Sequence, residues 1–534
     1  MATPGVSPSS PAPPTTTPVS PAMHGAEPRG LFNLPGSTQF VGRFGRMFRN
    51  LPVFSASVPK LEEVAAKMIS GPDAEVPEGQ ADPDENPAIP AGYTYLGQFI
   101  DHDITFDPVS SLQRQSDPDA LIDYRTPRLD LDNLYGRGPS DQPYLYDQSD
   151  PGKFLLGGTV SNEPAFAGPD VQRNTQRRAL IGDPRNDENL IISQLQSTFL
   201  RFHNAVVDQV RAEGTLSDPG DVFKEAQRLV RWHYQWIVVH DFLAAHVVGA
   251  EVVEDILRTE DGVGAEKFKV GGFEPKDAAI VRPRLLFYHP HKDAFMPVEF
   301  SVAAYRFGHS MIRPAYFIND RVKEAHGNKR LPIFSTNIDP ANTENLNGFR
   351  PLPPEWGFQW RYFFELNADK PAQRSYRIDD ELSNPLGALP PTETPTPDIT
   401  SLAARNLVRG LRLGLPSGQN VARAMGLEPL SDADLGLDAE LAGNAPLWYY
   451  ILREAKELGK AEKLGPVGGR IVAEVLIGLL VADPLSYLNV APNWRPTLPG
   501  ATAGDFSIPD LIRFAKANIE PQPQPAPAPE GWHG

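Results

Sequence analysis

The sequence predicts a mainly α-helical fold in one large domain, with long loops and little β structure. Three observations predict it. Fifty-six prolines among 534 residues cut the chain into segments, and several of these repeat apolar residues at helical spacing. Alternating strand patterns are scarce and short. Hydrophobic residues make up 40% of the chain, enough for a sizeable core in one large domain or two ordinary ones.

The elements follow in order. Residues 97–108 (GQFIDHDITFDP) read as a helix that puts Gln98, Asp101, His102 and Thr105 on one face. Asp103 is turned about 100° from His102 and so faces a second site. Asp183-Pro184 reads as an N-cap followed by a first-turn proline. The helix it opens runs to about Val210, with Leu190, Ile191, Leu195, Phe199 and Phe202 as apolar positions. Further helices are predicted over 219–248 and over 298–312, the latter stopped by Pro314. Others lie near 400–412, 446–457, 467–482 and 508–517.

The apolar run 471–482 contains Glu474 and is too short to cross a bilayer, so it reads as a core helix. Residues 1–28 hold eight prolines among Ser, Thr and Ala. Segments 1–30 and 520–534 are therefore expected to be disordered arms around a domain over 31–519. The first arm lacks the charged start and apolar centre of a signal peptide, which points to the cytoplasm or to a non-classical export route.

The net charge is −17 with no basic block, which disfavours nucleic acid and anionic membrane as partners. There is no cysteine. Disulfides, iron–sulfur clusters, thiolate zinc and a thiol nucleophile are thereby excluded.

Five segments carry chemistry. A histidine between two aspartates, Asp101-His102-Asp103, is costly in an apolar helix unless something uses it. Arg185-Asn186-Asp187-Glu188 puts a guanidinium and a carboxylate on one side of a helix start, where a simple salt bridge would suffice. In 305–314 (YRFGHSMIRP), Arg306 and His309 share a face, and Gly308 removes bulk so that a flat group can approach the imidazole. In 406–416, Asn406 and Arg409 share a turn; a helical asparagine usually means exposure, but its amide can accept the Nδ1 proton of a metal-bound histidine. In 126–136, an extended chain would point Thr126, Arg128, Asp130 and Asp132 the same way. With Asp103 they offer oxygen ligands that suit calcium, although not at EF-hand spacing.

Together these five segments resemble the animal-type haem peroxidases of the peroxidase–cyclooxygenase superfamily, in the family's order along the chain. The resemblance implies a single large helical haem peroxidase domain that binds haem b and Ca2+. It implies that His102 is the distal histidine, Gln98 its pocket partner and Arg185 the distal arginine. His309 corresponds to the proximal iron ligand and Asn406 to its hydrogen-bond partner. Arg306 and Arg409 fall where the family places residues near the haem propionates. Asp101 and Glu188 match the carboxylates that form ester links to haem in some members. Asp103, Thr126, Arg128 (through its carbonyl), Asp130 and Asp132 match the calcium ligands.

The function this implies is reduction of hydrogen peroxide coupled to oxidation of small organic or halide donors. Two departures narrow it. Position 189 is Asn where some members use a methionine for a sulfonium link to haem, which argues against the strongest halide-oxidising chemistry. Three residues before His309 stands Arg306 where fatty-acid oxygenases carry a radical-forming tyrosine, and Tyr305 is one place off. A fatty-acid dioxygenase and a catalytically silent calcium-binding scaffold are the competing readings. His233, His240 and His246 lack carboxylates at metal spacing and read as packing residues. The glycines of 465–469 read as a turn, and the aromatics of 356–360 as core.

Overall fold

The computed structural model describes residues 42–72, 80, 82–106, 122–260, 280–281, 283–290, 294–335, 344–390 and 399–516. The proline-rich arms and residues 107–108 of the histidine motif lie outside these. The described residues are 45% helix and 9% strand, mainly helical as the sequence predicts.

Helix α1 spans Val58–Lys67 and is capped by the Ser57 hydroxyl. Helix α2, Gly92–Ile104, buries Tyr93, Leu96, Phe99, Ile100 and Ile104. It starts earlier than the motif and stops sooner than the predicted 97–108, because Thr105 turns extended (φ −135°, ψ 136°). Its start is crowded: a Cβ on Gly92 would come within 2.4 Å of the Phe364 ring and 2.6 Å of the Phe363 carbonyl. Only glycine lets α2 begin there.

The single helix predicted from Asp183 to Val210 is two elements. Asp183 caps a 3₁₀ turn, Pro184–Asp187, by accepting from the Arg185 N–H at 2.8 Å. Asn189 then caps α3, Leu190–Glu213, by accepting from the Ile192 N–H at 2.9 Å. Short polar side chains favour such caps over helix interiors, and two of them six residues apart divide the run. Helix α4, Pro219–Trp236, continues into a π-helical stretch, Ile237–Val247, close to the predicted 219–248.

The prediction over 298–312 fails in kind. A π-helical turn, Glu299–Ala303, passes into a 3₁₀ turn, Ala304–His309, with a break at Ala303 (φ −128°, ψ −75°). Helices α5 (Leu402–Arg412), α6 (Leu447–Leu458), α7 (Pro466–Ala482) and α8 (Ile508–Phe514) stand where the sequence puts them. The glycine turn before α7 lets Val467 and Gly468 donate their N–H groups to the buried Glu454 carboxylate. Trp356, Phe358 and Trp360 are core.

Sheet structure is slight. Strand β1 (Gly42–Gly45) pairs antiparallel with β2 (Ile122–Asp123) and parallel with β3 (Met296–Pro297). The centre is helical. Phe99 of α2 stacks on Phe199 of α3 at 4.3 Å between ring centroids, nearly parallel at 10°. Helix α2 also packs against the π-helical stretch and against the turn that ends at His309. That turn rests in addition on α6 and α7. Among the described residues no helix is long and apolar enough to cross a membrane.

Candidate functional site

At the C-terminal end of α2, His102 is buried with its Nδ1 2.7 Å from the Asn186 Oδ1. The Asn186 amide nitrogen in turn donates to Gln196 Oε1 at 2.8 Å, which fixes the amide with its oxygen toward the ring. His102 therefore carries its proton on Nδ1, and Nε2 is the free base. Burial first, and then the Arg185 charge, hold this imidazole well below the usual histidine range. It is neutral at physiological pH.

Nε2 lies 3.9 Å from Glu188 Oε1. Gln98 donates to the same carboxylate oxygen, and Asn189 Nδ2 approaches the Gln98 Oε1 at 3.4 Å. Burial pushes Glu188 up to about 7. Yet its side chain keeps 39% of its accessible surface. Strong desolvation together with a reachable surface marks a recess inside the protein rather than an outer face. Asp101 is half-buried beside it and accepts from the Thr105 hydroxyl at 2.9 Å.

Arg185 is placed differently from a group aimed only at that recess. Its Nη2 donates to the carbonyls of Thr105 (2.6 Å) and His102 (3.1 Å), and its Nε to Asp183 at 3.2 Å. The guanidinium also lies over the Phe106 ring, 4.6 Å from its centroid. It braces the end of α2 while 22% of its side chain remains accessible.

On the other element, His309 Nδ1 is 2.7 Å from the Asn406 amide nitrogen, and Asn406 Oδ1 accepts from Arg306 Nη1 at 3.0 Å. The structure brings His309 and Asn406 together with the amide nitrogen toward the ring, opposite to the direction the sequence leads one to expect. Arg306 occupies the amide oxygen that the sequence assigns to His309, so here Asn406 donates. Arg306 is thus engaged with Asn406 and with the Ser301 carbonyl at 3.0 Å. Arg409, one turn beyond Asn406, is half-buried. Burial pushes His309 down to about 3. A Cβ built on Gly308 meets nothing within 4 Å, so open space adjoins His309. Trp448 of α6 secures the turn by donating to the Arg306 carbonyl at 3.2 Å.

A third cluster lies behind His102. Oxygens of Asp103, Asp130 and Asp132, all buried, lie within 4.8 Å of one another. Thr126 donates its hydroxyl to Asp130 at 2.9 Å, and the Arg128 N–H bonds the Thr126 carbonyl at 2.8 Å. The extended alternation predicted for 126–132 breaks at Leu131 (φ 58°), and Asp132 heads a short helix. Asp103 Oδ1 is buried with no hydrogen-bond partner. Arg125 pairs with Asp132 at 2.7 Å and with Asp183, linking this cluster to Arg185.

Both implied groups fit these residues. Five buried carboxylates (Asp103, Asp123, Asp130, Asp132, Asp183) face three guanidinium groups (Arg125, Arg185, Arg231). Asp103, Asp130 and Asp132, with the buried Asp103 Oδ1 left without a hydrogen-bond partner, form a donor set that suits a divalent cation preferring oxygen ligands. For haem, the recess at Glu188, the open space at Gly308 and the pinned imidazole of His309 suit a flat metal-bearing group.

Sequence reasoning missed three working residues. Asn186 was in view inside a quoted motif but had no assigned task. Trp448 and Arg125 carried no local signal.

The helical architecture and two histidines each held by an asparagine suit the peroxidase–cyclooxygenase superfamily, and the comparisons with known proteins place the chain there. Peroxidase A of Dictyostelium discoideum is similar in structure, with a TM-score of 0.59 over 95% of this chain and 99% of that one at 14% identity. Fatty acid alpha-dioxygenase of Arabidopsis thaliana is similar too, with a TM-score of 0.58 over 95% of this chain and 81% of that one at 16% identity. The family model for animal haem peroxidase matches residues 109–439. This chain belongs to the animal haem peroxidase family. Thyroid peroxidase of Sus scrofa is 24% identical over 323 residues, which are 58% of this chain and 31% of that protein. The chain spans less than half the length of the curated relatives it matches.

Proposed function

We propose that the chain is a haem-dependent peroxidase that reduces hydrogen peroxide and oxidises small organic donors one electron at a time. The observation that carries this reading is the His102–Asn186 bond, which leaves a neutral imidazole with Nε2 free at the edge of an interior recess. When bound, haem supplies an iron that takes up peroxide and passes oxidising equivalents to the donor.

His309 would hold the iron and Asn406 its back side. An imidazole that binds a metal through Nε2 carries its proton on Nδ1. Cofactor binding therefore requires the Asn406 amide to turn over and Arg306 to release it, which frees that guanidinium for the cofactor's carboxylates. With Nε2 free, His102 would take a proton from peroxide and return it to the departing oxygen. While its carboxyl is free of any ester link, Glu188, 3.9 Å away and pushed up to about 7, can share that proton. Arg185 adds positive charge where negative charge develops, and stays charged at any relevant pH.

Asp101 and Glu188 are the carboxylates proposed to form ester links to haem. Asp103, Thr126, Arg128, Asp130 and Asp132 are proposed to hold calcium. Fold likeness alone favours a peroxidase and a dioxygenase about equally. Arg306 at the position of the oxygenases' tyrosine favours the peroxidase, and Asn189, occupied as a helix cap, favours organic donors over halides.

His102→Ala tests the assignment. It should keep haem content and lose about 10²–10⁴-fold in peroxide turnover with a phenolic donor. Turnover equal to that of the unaltered protein would overturn it.

A further inference from the structure

At the end of α4, with none of the residues around His102 or His309 in its lining, lies an open cleft of about 480 Å³. Its walls include Trp236, His240, Arg495 and Asp505. Trp236 is the last residue of α4, and His240 stands four residues on, in the π-helical stretch. Their rings lie 3.8 Å apart between centroids at 30°. A π-helix is rare, and its wider turn commonly marks a functional place.

The indole is locked. Its Nε1 donates to Asp505 Oδ1 at 2.8 Å, and the same oxygen accepts the Phe506 N–H at 2.8 Å. Tyr487 and Trp494 support it, with ring centroids 5.9 and 6.1 Å away. Arg495 lies over the indole, its guanidinium carbon 5.0 Å from the ring centroid. Stacking holds a guanidinium in place without using its N–H donors. Arg495 is exposed, and among the described residues it makes no hydrogen bond or ion pair. Burial, and then the Arg495 charge, push His240 down to about 4, so it offers an aromatic face and not a second cation.

We propose that this cavity binds a flat aromatic carboxylate, with the carboxylate on the Arg495 N–H groups and the ring against His240. The planar fork of arginine matches a carboxylate in two parallel hydrogen bonds. A volume of about 480 Å³ falls in the range of small-molecule sites, about 300–1,000 Å³. A phenolic or indolic acid is also an electron donor of the kind the peroxidase reading requires. That last role rests on that reading, whereas the binding does not.

The test is a calorimetric titration of the full chain, without peroxide, using 4-hydroxybenzoate, 4-hydroxybenzyl alcohol and acetate. One site is expected, with 4-hydroxybenzoate bound at least about tenfold more tightly than either comparator, and Arg495→Gln should remove that advantage. Arg495 is exposed, so its replacement leaves the core untouched, and His240→Leu should weaken the aromatic ligand while leaving acetate unchanged. Equal affinity for acid and alcohol, or unaltered binding by Arg495→Gln, would overturn the site. Failed titration with intact peroxide turnover sinks this site alone, and lost turnover with intact titration sinks the peroxidase reading alone.

Discussion

At His102, one hydrogen bond decides which nitrogen is free for chemistry. The Asn186 oxygen takes the Nδ1 proton at 2.7 Å, and the Gln196 oxygen keeps the amide from turning. Asn186→Leu should keep the imidazole and the haem but lose about tenfold to 10²-fold in peroxide turnover, because the wrong tautomer becomes available. Unchanged steady-state turnover would show that the tautomer is set elsewhere. His102, Arg185, His309 and Asn406 were singled out by the resemblance of five segments, in order, to one family; taken alone, a salt bridge or a packed histidine would account for most of them. Asn186 was not, since an asparagine in a helix-start turn is ordinary and only the fold brings it to a ring 84 positions away. The orientation of Asn406 was equally hidden, because Arg306 competes for its oxygen only in three dimensions.

Among the elements, α2 joins two sites by its own geometry. His102 leaves one side of its last turn toward the recess, and Asp103 leaves the other toward Asp130 and Asp132. A divalent cation bound there would offset the repulsion among these carboxylates and so fix the end of α2. Chelation of divalent cations should lower the thermal unfolding midpoint, and added calcium should restore it. Asp103→Asn should lower the midpoint and leave it insensitive to calcium. Equal calcium responses in both proteins would count against the site. The helices of this layer follow apolar periodicity and were read correctly where the period is regular, as in α5, α6 and α7. Residues 298–312 were misread because their apolar pattern fits a helix of any pitch, and the break at Ala303 carries neither Gly nor Pro to announce it. The split at Asn189 was readable in principle, as a second capping residue six places after the first.

Across the whole molecule, the fold keeps ionisable groups around an interior space, and this leaves a mark on stability. Glu188 is raised from its ordinary range to about 7 by burial, so its favourable contribution is present below pH 4.5 and lost as pH rises through 7. Glu188→Gln removes that loss. In the haem-free protein its unfolding midpoint, relative to the unaltered chain, should therefore rise more at pH 8 than at pH 5, as thermal unfolding at the two pH values would show. A difference independent of pH would mean that Glu188 is not desolvated as the structure implies. The mainly helical architecture was legible from proline-cut segments with helical spacing and from the scarcity of strand patterns. The contact between α2 and the His309 turn was not, since nothing local encodes a pairing across some 200 residues. The central claim is that His309, and not another imidazole, anchors the prosthetic group. It is tested most directly by titrating the haem-free chain and its His309→Ala variant with ferric haem and following the Soret absorbance. The unaltered chain should saturate at one haem per chain, and His309→Ala should show no stable complex. Stoichiometric binding with the same spectrum by His309→Ala would contradict it.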